Sequence, residues 1–189
     1  MCFNCDKIRK YMGGNIMLNL VKPDIKYKSQ YIKMIDEWKI TGEELSPWVL
    51  EEDYSNFNSM VEKFQHLEQG IDIPKGFVPN STYWVYNNES SLIIGAVNIR
   101  HYLNHLFVEA WGNIGYGVSP SERRKGYATI ILKLAIEECK KLNIEKALLG
   151  CYKENIASVK TILKNGAILE NEIIENNTGE IIQRYWVSI

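Results

Sequence analysis

Long apolar runs are missing from this 189-residue sequence. None approaches the roughly 20 residues that a membrane-spanning helix requires. The N-terminal region also lacks the apolar core of a signal peptide, so a cytoplasmic protein with no membrane partner is expected. Net charge is nearly absent: 22 Lys and Arg against 23 Asp and Glu leave −1. A protein held to nucleic acid by counterion release carries a basic excess, so that partner class is excluded. Cysteine is sparse, at Cys2, Cys5, Cys139 and Cys151. Cys2 and Cys5 form a lone C-x-x-C, and a zinc site needs a second close pair that Cys139 and Cys151 do not make. No metal is therefore expected, and Cys139 reads as a core thiol on a helix stripe. There is no internal repeat and no low-complexity segment.

What is present is an ordinary globular composition, 46% hydrophobic and 24% charged. A chain of this length favours one domain and buries roughly 70% of its unfolded surface without a staple. Gly13-Gly14-Asn15 breaks the chain, so residues 1–16 read as an N-terminal tail and 17–189 as the domain.

The domain's elements follow from periodicity. Leu18 to Val21 reads as a first strand, ended by Lys22-Pro23-Asp24. Tyr27, Tyr31, Met34, Ile35 and Trp38 recur at helical spacing, and Phe57, Met60, Val61, Phe64 and Leu67 mark a second helix over 57–68. The stretch 70–80, with two glycines and two prolines, reads as a loop. Alternation then takes over, with strands at 82–86 and 92–101 around the turn Asn87 to Ser90, and another at 112–118. Residues 124–141 carry the clearest apolar stripe, through Ala128, Ile131, Leu132, Ala135, Ile136 and Cys139. A strand at 146–151 follows, then a helix from Asn155 to Asn165-Gly166. A last hairpin spans 167–175 and 180–187, and it could pair across a homodimer. A helix between the strands at 112–118 and 146–151 predicts one parallel pair with a right-handed crossover. The fold class is thus α/β (mixed α+β), a mostly antiparallel sheet with helices on both faces.

The chemistry concentrates in Val118-Ser119-Pro120-Ser121-Glu122-Arg123-Arg124-Lys125-Gly126-Tyr127-Ala128-Thr129, which joins a strand to the strongest helix. Helix N-termini present unpaired N–H groups and a positive dipole end, which suit phosphate. Gly126 lets an anion approach the backbone, Ala128 is small, and Arg123, Arg124 and Lys125 add positive charge. A solvated basic helix start is the plainer reading of the same residues. The spacing fits neither G-x-x-x-x-G-K-[ST] nor G-x-G-x-x-G, which disfavours ATP and NAD.

The pattern V-x-P-x-x-R-x-x-G-x-A, at Val118, Pro120, Arg123, Gly126 and Ala128, resembles the acetyl-CoA-binding motif of the GNAT acetyltransferases. Asn155-Ile156-Ala157-Ser158 followed by Lys164-Asn165-Gly166-Ala167 is similar to the family's second motif, and the element order agrees over roughly residues 17–189. The resemblance implies an N-acetyltransferase whose cosubstrate is acetyl-CoA and whose acceptor is a small-molecule or peptide amine. It implies that the backbone of Val118 binds the pantetheine arm and that the amides from Arg123 to Thr129, including those of Lys125 and Tyr127, wrap the pyrophosphate. It places Asn155 against the cofactor arm, although Asn is also a good helix N-cap.

The sequence departs from the family at both proton-transfer positions. Gly112 stands where many members have a carboxylate, and Ile162 where many have a tyrosine. Local candidates replace them. Glu109 and His101 are candidate bases, against the plainer readings of solvated side chains. Tyr116 is a candidate donor to the leaving thiolate, against a packing role. Cys151 is a candidate nucleophile with no visible base. Tyr83, Trp84, Trp48, Trp111 and Arg100 are candidate acceptor-pocket residues. A non-catalytic acyl-CoA sensor or scaffold of the same fold is the alternative that the two departures motivate.

Overall fold

The computed structural model describes residues 17–176 and 178–189. The expected tail, with Cys2 and Cys5, lies outside them. Seven strands form two sheets. The first joins β1 (Leu18–Val21), β2 (Asn80–Asn87), β3 (Leu92–Arg100) and β4 (Ile114–Val118) in that spatial order, each pair antiparallel. The second has the order β5-β7-β6, from β5 (Lys146–Tyr152), β6 (Ile168–Ile174) and β7 (Ile181–Ser188), again antiparallel.

Helices α1 (Lys28–Ile40) and α2 (Phe57–Gln69) bury the residues whose spacing predicts them. Tyr31, Met34, Ile35 and Trp38 meet Phe57, Met60, Val61, Phe64 and Leu67 around the wholly enclosed Trp84. A second core lies between the sheets and α4 (Tyr127–Lys141), where Ile131, Leu132, Ala135 and Cys139 pack on Val97, Ile99, Leu149 and Tyr185. Helix α5 (Ile156–Lys164) adds Ile162 to it. Between β3 and β4 lies a short helix, α3 (His105–Glu109), capped by the Asn104 side chain, that periodicity does not reveal.

The parallel ladder expected between 112–118 and 146–151 is not formed among the described residues. β4 and β5 stand in different sheets and meet at one isolated bridge, Gly112 with Leu149. Asn113 is the physical reason. Its backbone oxygen stays with β3, accepting from Arg100 N at 2.8 Å, while its N–H turns to β5 and donates to Leu148 O at 2.7 Å. Its side-chain amide then fills the two places left over. Nδ2 donates to Arg100 O at 3.2 Å, and Oδ1 accepts from Leu148 N at 3.0 Å. A side-chain amide carries the same donor and acceptor as a peptide unit, so one residue satisfies both sheets while the strands diverge beyond it. For the same reason β4 begins at Ile114 rather than at 112.

Candidate active site

The divergence leaves one edge of β4 open. Antiparallel pairs alternate between bonded and non-bonded residues. Ser119 N donates to Ile94 O and Arg100 N donates to Asn113 O, so the odd-numbered residues of β4 face β3. The N–H and C=O groups of Ile114, Tyr116 and Val118 therefore point to the open edge. Two of these carbonyls are occupied by side chains: Ser46 Oγ donates to Tyr116 O at 3.4 Å, and Arg123 Nε donates to Val118 O at 3.1 Å. The N–H groups of Tyr116 and Val118 make no hydrogen bond among the described residues.

Val118 leads through Ser119 and a 3-10 turn, Pro120–Glu122, into α4. The helix starts at Tyr127, three residues later than its apolar stripe predicts, because Arg124 and Gly126 take left-handed backbone angles of φ 62° and 80°. Consecutive residues of mixed handedness turn their N–H groups into one concavity, an anion-binding nest. From Arg124 to Ala128 no backbone N–H has a hydrogen bond among the described residues. A Cβ built on Gly126 meets nothing within 4 Å, so the concavity opens outward. Of the three basic side chains, Arg123 is committed to Glu43 at 2.6 Å and Lys125 to Glu122 at 3.1 Å. Arg124 is exposed and has no acidic partner among the described residues.

Arg123 also ties this loop to the segment after α1. Its guanidinium lies 5.2 Å from the Trp38 ring as well as on Glu43. Glu37 supplies a second tie, accepting from Ser121 N at 2.7 Å and from Ser121 Oγ at 3.1 Å. The segment itself lies flat on β4: a Cβ on Gly117 would fall 1.9 Å from Ser46 O.

Tyr116, Cys151 and Ser158 come together on the α5 side. Tyr116 Oη and Ser158 Oγ are 3.0 Å apart, and burial pushes the phenol up to about 12. Cys151 is buried, which raises its thiol, while Ser158 acts in the opposite sense. A buried, undissociated thiol is a poor nucleophile. Asn155 caps α5, accepting from Ser158 N at 3.0 Å. Ile162, at the family's tyrosine position, is wholly enclosed.

Gly112 has a physical cause. Its φ is 64°, and a Cβ there would fall 2.1 Å from Leu148 O. No carboxylate fits where the segment touches β5. The acidic groups lie elsewhere: Glu44, Glu175 and Glu180 surround Tyr152, whose hydroxyl donates to Glu175 at 3.0 Å. Burial first, then Glu175, pushes this phenol up to about 12. The Trp111 ring stands edge-on to Tyr152 at 5.5 Å.

The remaining candidates are dispersed. His101 follows β3 at the end opposite Val118. Gly95 faces Val118, and His101 lies six positions further along, about 20 Å away. His101 Nε2 lies 2.9 Å from Ser81 Oγ, which donates to Glu68, and burial lowers its pKa. Glu109 is exposed at the end of α3, two residues before Trp111. Among the pocket candidates, Trp84 is core, Tyr83 donates to Glu138 and Trp48 packs on Phe77. Arg100, 6% exposed, donates to Gly112 O at 2.9 Å and covers Phe107, and burial lowers it to about 10. The sequence reading missed Asn113, Ser46 and the ties from Glu37 and Glu43. Only the Gly112-Asn113 pair before a strand carries a local signal, that of a broken strand start.

The described residues contain no group of three or more His, Cys, Asp or Glu placed to hold a metal, and no helix long and apolar enough to cross a membrane. No curated protein matches the chain. Solved structures do. The microcin C7 self-immunity acetyltransferase, in complex with acetyl-CoA and AMP, superposes with a TM-score of 0.66 at 19% identity, over 91% of this chain and 92% of that one. A ribosomal-protein N-terminal acetyltransferase in complex with coenzyme A gives 0.69 at 15% identity, over 96% and 98%. The spermidine N-acetyltransferase of Vibrio cholerae, a dodecamer, gives 0.58 at 16% identity, over 92% and 93%. At these identities the likeness is one of fold. The profile of the acetyltransferase (GNAT) family matches residues 35–167, most of the chain, and the chain belongs to that family.

Proposed function

We propose that this chain transfers the acetyl group of acetyl-CoA to a primary amine by direct attack on the thioester, with an acceptor that carries positive charge. Family membership makes acetyl-CoA the cosubstrate. The observation that carries the reading is the run of five unpartnered amides from Arg124 to Ala128 beside an open strand edge. The amides, with Arg124, take the pyrophosphate, and the free N–H groups of Tyr116 and Val118 take the pantetheine arm and the thioester oxygen. As the amine nitrogen bonds to the carbonyl carbon, the oxygen gains negative charge, which a fixed backbone N–H stabilises. The C–S bond then breaks and the thiolate leaves.

Tyr116 is the donor to that thiolate. With its pKa near 12, above the roughly 8.5 of an ordinary thiol, it donates a hydrogen bond and keeps its proton. The amine must lose a proton before attack, and Glu109 is the base, acting through water. His101, at the far end of β3, is left out of this scheme. Glu44, Glu175 and Glu180 around Tyr152 favour a cationic acceptor. The acceptors named for the structural neighbours, a protein N-terminus and spermidine, are primary amines too.

Thiol release from acetyl-CoA across a panel of polyamines and peptides tests the activity. Silence across the panel with coenzyme A binding intact would support the sensor reading, which the buried Ile162 and the side-chain-free Gly112 favour. Gly126→Trp tests the site. The left-handed position costs about 1 kcal/mol without glycine, and space is open around it. The variant is expected to fold and to lose coenzyme A binding by calorimetry, and unchanged affinity would refute the assignment.

A further inference from the structure

Arg100 is a buried cation with no acid beside it. Among the other described arginines, Arg123 pairs with Glu43, Arg184 pairs with Glu170, and Arg124 is exposed. Arg100 is 6% exposed, and burial alone lowers its pKa, with no acid acting against it. A cation held out of water without a counter-charge is strongly unfavourable. The protein compensates only in part. Nη1 donates to Gly112 O at 2.9 Å, and the guanidinium lies 4.2 Å from the centre of the Phe107 ring. Nε is enclosed and has no hydrogen-bond partner among the described residues.

This side chain ends at the foot of the candidate cleft. Gly112, which it holds, is the residue that bridges the two sheets at Leu149. Trp111, next in the chain, stands edge-on to Tyr152, and Glu44, Glu175 and Glu180 act on Tyr152. A positive group and a negative cluster thus lie on either side of Trp111. Tyr152 is three positions along β5 from Leu149, about 10 Å. That separation is comparable with an extended lysine or dipeptide. The cover over Arg100 is slight. Helix α3 is five residues long and buries only Phe107, outside which Phe77 stands at 6.0 Å, 38% exposed. An element anchored by so few buried contacts opens locally at low free-energy cost.

We propose that Arg100 is the carboxylate-binding residue of the acceptor site. The acceptor is then a zwitterion, an amino acid with a side-chain amine or a short peptide. Its carboxylate lies on Arg100 while its amine reaches the thioester. The carboxylate supplies the missing counter-charge and accepts from the planar fork of the guanidinium. The inference rests on the acetyl-transfer reading above and adds the second charge of the acceptor to it.

The test uses two matched pairs: lysine with cadaverine, and dialanine with its carboxamide. Each pair differs in the carboxylate. Thiol release from acetyl-CoA is expected to show a KM about 10–100-fold lower for the carboxylate member of at least one pair, the worth of a hydrogen bond between charged groups. Arg100→Gln is expected to abolish that preference, and Arg100→Lys, which keeps the charge without the fork, to retain part of it. Coenzyme A affinity reports whether each variant has kept its cleft. Calorimetry of the four compounds into the wild-type coenzyme A complex separates this inference from the reading beneath it. The same order of affinities without turnover upholds the Arg100 site and refutes transfer. Turnover or binding without that order, no binding by either carboxylate member, or a preference that survives in a folded Arg100→Gln protein overturns the proposal.

Discussion

Tyr116 concentrates the residue-scale chemistry. It stands on β4, yet its hydroxyl reaches α5 at Ser158, one turn before the enclosed Ile162. The family's usual tyrosine is gone from the helix, and a tyrosine on the facing strand brings a phenol to the same helix. Tyr116→Phe is expected to lower kcat about 10–100-fold, the worth of one hydrogen bond to a charged group, with coenzyme A affinity unchanged. Burial raises the phenol from 10.0 to about 12, so it stays protonated throughout the assay range. Wild type and variant should therefore share one pH profile for kcat up to about pH 9.5, and a basic limb lost in the variant would show that the phenol ionises. Sequence alone could nominate Tyr116 by its place before Val118. It could not show the contact with Ser158, 42 positions away. His101 shows the converse: a residue type suited to a base, which the register places about 20 Å along the strand from the partner of Val118.

At the scale of elements, the site is made by two sheets that part and by loops that tie them. The helices were legible because their apolar spacing is local and strong. The start of β4 was not, because Gly112 and Asn113 are held by Leu148 and Leu149, more than thirty residues later. The start of α4 was not, because nothing in a basic run announces that Arg124 is left-handed. Asn113→Ala leaves Leu148 N–H and Arg100 C=O without their partners, each buried. Urea unfolding is expected to show a loss of about 2–4 kcal/mol. The tie between Glu43 and Arg123 is of another kind. Both side chains are partly exposed, and Glu43 neutralises charge beside the amide concavity. Glu43→Gln is expected to tighten coenzyme A binding about 2–5-fold at low salt, an advantage that fades as salt is added. Weaker binding would mean that Glu43 serves chiefly to hold Arg123 on Val118 O.

For the whole molecule, the two cores lie on different faces of the first sheet, and among the described residues the two sheets meet at one bridge, Gly112 with Leu149, beyond which the candidate cleft opens. Overall architecture was legible because it needs only the order of elements, whereas the cleft depends on which ladder fails to form. A ligand that fills such a gap stabilises the folded state alone. At 100 times its Kd, coenzyme A contributes about 2.7 kcal/mol, which for a chain of this size raises Tm by about 5–11 °C. No shift at that concentration would mean that coenzyme A does not bind the folded state in preference to the unfolded one. The pinning by Asn113 has a mechanical consequence. Its amide is the fulcrum of a lever whose arm, the five residues of β4, is about 16 Å long. A rotation of roughly 5° at that fulcrum moves the far tip by about 1.4 Å, nearly one carbon–carbon bond. The spread of the two sheets beyond their bridge is thus set at one side-chain amide.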